Sequence, residues 1–392
     1  MLTAMLLAIG VPAPDAVRPL TFDDVLARAR PSVVELQAES TLAETSRVAV
    51  TSGGLLRDGP TLTTGAGSRR DAEGATRGDV AIGAELPLVF SRSTSDALFA
   101  ALERAAPVLR EGARAESLLA LRRAFLDAWL DERLILLREL DVTTVETWLR
   151  TSLARRDAGA EAPFQATLVE GELLRSRNEL AETRAHRSES WGRLRGLADV
   201  PAMPVPLAPP LIEPAAPDGQ DRSRFETGLL KQAVLARHGL EIAVAGRREA
   251  LSNARWSLRA DGRKEGAEEI ATLGVAVRLP RAGETGAVHR EAEATRRDAT
   301  RQRDTALAEL EARFAAALER LSTTTAGTES PIAFEAALAA VQLRLTEGKE
   351  RASEALPIRR QLLEAQIANL RQAHARGLAS AELSAMTAGV AP

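Results

Sequence analysis

Cysteine and tyrosine are both absent from this 392-residue chain. The missing thiol excludes disulfides, thiolate metal sites, thiol catalysis and an N-terminal lipid-bearing cysteine. Aromatic residues make up only 3%, fewer than a small globular enzyme carries. No run of eighteen apolar residues occurs, so the sequence offers no helix that spans a bilayer. There is no basic excess either. The formal net charge of −3 leaves no footprint for nucleic acid, and no lysine-rich tail suits an anionic membrane surface.

Catalytic signatures are missing too. His186, His238, His289 and His374 are scattered and form no HExxH or paired metal motif. Gly65-Ala66-Gly67-Ser68 superficially looks like a phosphate loop, but no GK[ST] follows it. No GxSxG occurs. The abundant carboxylates sit at helix-surface spacing with arginines, as on a solvated face. We therefore expect no enzyme, no cofactor and no metal.

What the chain does contain is an internal duplication. Leu86-Pro87 matches Leu279-Pro280 at an offset of 193, while Gly159 matches Gly348 and Leu173-Leu174 matches Leu362-Leu363 at 189. Each half reads in the same order. A first helix (about 22–52, then 222–254) leads to a strand pair (60–69 with 79–89, then 255–262 with 270–280). A very long helical stretch follows (about 92–157, then 285–350), then a glycine turn and a return helix (about 163–197, then 357–386). The helical assignments rest on spacing: Leu307, Leu310, Phe314, Leu318 and Leu321 recur at three and four. About sixty-five helical residues span about 100 Å, far more than a globular core needs.

The strand signals are amphipathic. Val80, Ile82, Ala84, Leu86 and Leu88 alternate with Ala81, Gly83 and Glu85. Leu273, Val275, Val277 and Leu279 alternate with Gly274, Ala276 and Arg278, and Trp256, Leu258 and Ala260 with Ser257, Arg259 and Asp261. Ten such residues reach about 33 Å and, tilted by about 45°, cross a thin hydrocarbon layer. Four strands cannot close a barrel around a channel, and lipid does not admit an open edge. Three chains would supply twelve strands. A four-stranded sheet packed on helices would alternate in the same way and stands as the alternative.

With these features in hand, the chain resembles the TolC-like outer-membrane efflux family across about residues 20–388. PLTFDDVLARARPSVVELQAE is similar to that family's first helix, with Arg30-Pro31 where Asn-Pro is usual. IGAELPL and VAVRLPR look like the second strand of each repeat, ARRDAGAEAPFQATLVEGELLRSRNELAE like the helix-turn-helix at the periplasmic tip, and QLLEAQIANLRQA like its repeat-two version. The resemblance implies a mainly α fold with short β: a TolC-like outer-membrane β-barrel plus a long α-helical barrel, formed by a trimer with two internal repeats and four strands per chain. It implies a passive exit duct working with a periplasmic adaptor and an inner-membrane pump.

On that reading several residues acquire roles. Asp157, Gly159, Pro163, Glu347, Gly348 and Pro357 mark the periplasmic tip or adaptor-docking end. There Gly159 and Gly348 turn the chain, Pro163 and Pro357 start the return helices, and Asp157 and Glu347 place charge near a constriction. For each of these a plain solvated helix end is the alternative. Val80, Ile82, Leu86, Leu273, Val275 and Val277 would face lipid, and Glu85, Arg259 and Arg278 the lumen. The chain divides into a truncated export signal (1–16, or else a frayed terminus), repeat 1 (17–198), a Pro-rich linker (199–221) and repeat 2 (222–388). The expected location is the outer membrane, with the helical part in the periplasm. A soluble elongated helical scaffold is the competing reading.

Overall fold

A computed structural model describes residues 18–52, 61–70, 76–88, 92–209, 221–252, 256–265, 268–277, 284–324, 331–347 and 349–388. The expected export signal, Gly348 and Arg278 lie outside these residues. The chain is mainly helical with one four-stranded antiparallel sheet. Its first half runs α1 (Phe22–Leu26), α2 (Val33–Ser52), β1 (Thr61–Arg70), β2 (Thr76–Leu88), α3 (Arg92–Asp157) and α4 (Pro163–Leu197). The second half repeats the order: α5 (Asp221–Glu226), α6 (Leu229–Ser252), β3 (Trp256–Glu265), β4 (Glu268–Val277), α7 (Glu284–Thr324) with α8 (Pro331–Thr346), and α9 (Ala352–Thr387).

The single first helix expected in each half is two helices. Thr21 starts α1 with a capping box: its hydroxyl accepts from Asp24 N, and Asp24 accepts from Thr21 N. The chain then straightens ahead of Pro31, because a residue before proline avoids the helical region. Arg30 N donates to Leu197 O, and Asp199 N to Arg28 O, both at 2.8 Å. In the second half the break falls at Gly228. A Cβ there would sit 2.0 Å from the Met386 carbonyl oxygen, so only glycine allows this close passage.

Two compact units form. One holds residues through Ser32, Glu116–Asp221 and Arg313–Ala385. Its core has two clusters, one around Trp148, Val145, Val169, Leu173, Leu345 and Leu356, the other around Phe125, Trp129, Trp191, Leu194 and Leu207. The linker belongs to the second cluster. Leu20 pairs with it through Leu20 N to Pro206 O and Ala208 N to Leu20 O, Trp191 Nε1 donates to Pro201 O at 3.0 Å, and Leu207 N donates to Glu132 Oε2 at 2.7 Å. Proline-rich chain has few donors of its own, so neighbouring groups must hold it.

The other unit holds Val33–Ala115, Arg222–Ala312 and the chain end from Met386. Leu42 and Ala49 of α2, Leu98 and Ala105 of α3, and Leu240 of α6 form its buried cluster. Gly112 of α3 lets α6 approach closely, since a Cβ there would meet Ala233 Cβ at 2.6 Å. The whole sheet lies in this unit.

Candidate functional site

The strand order is β1-β2-β3-β4. Residues opposite one another across an antiparallel sheet share a face. Following the pairing, Leu62, Ala84, Ala260 and Leu273 make one row, and Leu86, Leu258 and Val275 another. Trp256 stands opposite Val277. The apolar residues of the three alternating patterns, Leu279 outside the described residues excepted, thus fall on one face, and Ile270 on the other. The first face is open: Leu273 is 75% exposed and Leu62 70%, and Val80, Ile82, Trp256, Val275 and Val277 are exposed as well. Leu86 is half-buried. Nothing in the described chain covers a face that water does not favour. The alternative, a sheet packed on helices, would have buried these side chains. The outer edges, β1 and β4, pair with no strand among the described residues.

The opposite face is polar and internally bonded. Thr61, Glu85 and Arg259 share a row, as do Thr63, Gly83 and Asp261. Ser257 Oγ donates to Glu85 Oε1 at 2.6 Å. Arg259 pairs with Asp261 at 2.8 Å and not with Glu85 directly opposite. Thr63 and Asp261 fold over Gly83, where a Cβ would sit 2.6 Å from each side-chain oxygen. Glycine at that position makes room for the two side chains beside it.

At its C-terminal end α3 closes in a glycine cap. Gly159 adopts φ +70°, Ala160 N donates to Arg155 O and Gly159 N to Arg156 O, which is the Schellman arrangement. Pro163 is the first residue of α4. In the second repeat Lys349 N donates to Arg344 O, the same bond 189 residues on. Pro357, however, does not start the return helix. Helix α9 begins at Ala352, the counterpart of Pro163, and Pro357 lies inside it. Gln165 fixes that start: its Oε1 accepts from Ser353 N at 2.9 Å and its Nε2 donates to Ser353 Oγ at 3.2 Å. Arg155 Nη1 reaches Leu345 O at 3.2 Å, so the two tips are bonded to one another. Asp157 and Glu347 are exposed and each pairs with a near neighbour, Arg156 and Lys349.

One cluster was not anticipated. Arg359 of α9 is 1% exposed. It donates from Nη1 to Asp141 of α3 and from Nη2 to Glu172 of α4 at 2.5 Å, while Arg360 takes the other Glu172 oxygen at 2.6 Å. Burial, reinforced by the charges of Arg360 and Arg138, pulls the Arg359 guanidinium down to about 10. It remains a cation at neutral pH. The signal was in the sequence: Leu356, Arg359, Leu363 and Ile367 place an arginine in the middle of an apolar helical stripe. The four histidines sit apart. His186 lies near Glu189, and His238, His289 and His374 lie beside Arg303, Glu249 and Asp127.

No protein-family model matches the chain, and no curated protein matches it by sequence. Solved structures match it over nearly its full length. The outer membrane protein VceC of Vibrio cholerae superposes with a TM-score of 0.69 at 14% identity, covering 94% of this chain and 96% of that one. The open state of the Neisseria gonorrhoeae MtrE outer membrane channel gives 0.68 at 17%, covering 94% and 88%. A membrane protein of Pseudomonas aeruginosa gives 0.69 at 18%, covering 94% and 89%. The chain therefore has the TolC-like fold.

Proposed function

We propose that the chain is the outer-membrane channel component of a tripartite efflux or export system. In this reading three copies close a twelve-stranded barrel in the outer membrane, and their helices continue as a duct through the periplasm. The duct is passive and performs no catalysis. A periplasmic adaptor meets the tip that carries Asp157, Gly159, Pro163, Glu347 and Gly348, and an inner-membrane pump supplies energy and selects cargo.

The observation that carries the reading is the sheet. Among the described residues it has one exposed apolar face, one largely polar face and two open edges. Lipid suits the apolar face, and further copies suit the edges, because unpaired backbone groups cannot remain in hydrocarbon. Val80, Ile82, Leu86, Leu273, Val275 and Val277 then face lipid, while Glu85 and Arg259 face the lumen. The fold shared with channels named as outer-membrane proteins supports the same location.

The test is expression behind an intact export signal in a Gram-negative host, followed by membrane fractionation and gels of unheated and heated samples. The expected result is a heat-sensitive trimer in the outer membrane. A soluble monomer or dimer would sink the proposal and leave a helical scaffold as the account of the chain.

A further inference from the structure

The geometry of the two open edges restricts how one copy meets the next. Strands β1 and β4 run in opposite directions, since three antiparallel pairings separate them. A second copy placed at the edge therefore pairs β4 with β1 in antiparallel fashion. Both edges are ten residues long.

Three constraints act on the register. The first is the face. The apolar side carries the even-numbered residues of β1 and the odd-numbered residues of β4, as the row from Leu62 to Leu273 shows. A fully flush pairing would set Thr61 of the polar face against Val277 of the apolar face. A slip of one residue turns every side chain over, so only alternate registers are allowed. The second is pairing. Edge N–H and C=O groups left open in hydrocarbon are unsatisfied and strongly disfavoured, so the two registers nearest to flush are favoured.

The third constraint is tilt. A row that leaves one copy at Leu273 must arrive on β1 of the next copy displaced from Leu62, and that displacement sets the strand inclination. Arrival at Thr64 climbs two residues over four strand spacings, a tilt of about 19°. Arrival at Ala66 climbs about 13 Å over about 19 Å, a tilt of about 35°. Arrival at Ser68 gives about 46° and leaves more of both edges unpaired. Membrane barrels incline by about 35–45°. Ala66 satisfies all three constraints.

We infer that β4 of one copy pairs with β1 of the next with Leu273 opposite Ala66, Val275 opposite Thr64 and Val277 opposite Leu62. This rests on the trimeric-channel reading proposed above and specifies its seam. Nine of the ten residues of each edge are paired in this register. Leu62, the one large apolar residue on the open face of β1, meets Val277.

The chain has no cysteine, so introduced thiols report without background. Directly opposed residues have Cα atoms about 4.5–5.5 Å apart, and those shifted by two residues about 7–8 Å. A disulfide needs about 4.4–6.8 Å. Within one chain Ala66 and Leu273 are three strand spacings apart across the sheet and four residues apart along it, about 20 Å in all, so they can join only between copies. Three double variants are oxidised in outer-membrane fractions and run on non-reducing gels: Ala66→Cys with Leu273→Cys, Ala66→Cys with Val275→Cys, and Ala66→Cys with Ala271→Cys. Each is first checked for a heat-sensitive trimer. Efficient linkage of copies in the Leu273 pair alone is expected. Preferential linkage in either shifted pair overturns the register. No linkage in any pair, with the trimer intact, overturns the β4–β1 seam while leaving the channel reading standing. If the unmodified chain forms no trimer, the channel reading fails, and the seam falls with it.

Discussion

Replacing Arg359 with methionine removes the one cation that stands between two buried carboxylates. In the native chain Arg359 is bonded to Asp141 and Glu172, and it is the least exposed member of the cluster. Methionine keeps much of the volume and all of the apolar stem. It leaves Asp141 without a cation and Glu172 with only the half-exposed Arg360. Breaking a buried pair from one side costs about 3–5 kcal/mol, because the remaining charge is dry and uncompensated. That is about two to four powers of ten in the folded population. The assay is thermal melting of the detergent-solubilised protein, followed by far-ultraviolet circular dichroism. A control separates charge from packing: Asp141→Leu, Glu172→Met and Arg359→Met together. Asp141 Oδ2 and Arg359 Nε have no hydrogen-bond partner in the cluster, so the native network is incompletely satisfied. The triple variant is expected to melt at or above the wild-type temperature. A loss below about 1 kcal/mol for Arg359→Met, in the range of an exposed pair, would refute the argument. A triple variant as unstable as the single would assign the loss to packing instead.

Other consequences can be checked separately. Val277→Arg should weaken assembly by about 2–4 kcal/mol if that side chain meets mid-bilayer lipid; normal assembly of Val277→Arg alongside failure of Arg278→Leu would reverse the face assignment. Gly159→Ala forces a Cβ into a left-handed conformation and should cost about 1–2 kcal/mol, read as a lower melting temperature; an unchanged value would mean the tip relaxes freely. Glu132, which accepts from Leu207 N, has its carboxyl pushed up by burial. An acid raised in the folded state binds its proton more tightly when folded, so its contribution to stability falls as pH rises from the unfolded value of 4.5 through the folded one. Glu132→Gln keeps an acceptor for Leu207 N and should be at least as stable as wild type at neutral pH, with the difference vanishing below pH of about 4; lower stability at neutral pH would show that the charge itself holds the linker.

Much of the fold was legible because it rests on spacing. The apolar periodicity and the glycine turn locate α3 and α4 closely, with Arg92–Asp157 and Pro163–Leu197 observed. The alternation of β2 and β4 identified the apolar face. Proline was the less faithful guide. Pro357 looked like a helix start, yet the start lies at Ala352, where Gln165 from the other repeat supplies the bonds. A partner that distant in sequence leaves no local mark. The break after α1 had a local mark in Pro31, but the backbone bonds to Leu197 and from Asp199 that hold it are equally distant in sequence. Arg359 and Arg360 are adjacent and identical in the sequence. Only their placement on the helix separates them, one inside the apolar stripe and one at its margin.

The cluster around Arg359 also bears on the order of events during synthesis. Domains emerge and fold from the N-terminus onward, and Asp141 and Glu172 belong to the first repeat while their cation arrives on the last helix, 218 and 187 positions later. Until α9 has emerged, drying the first repeat's core would strand two carboxylates. Early collapse of the nascent half is thereby disfavoured until the final helix is present to complete the charge balance.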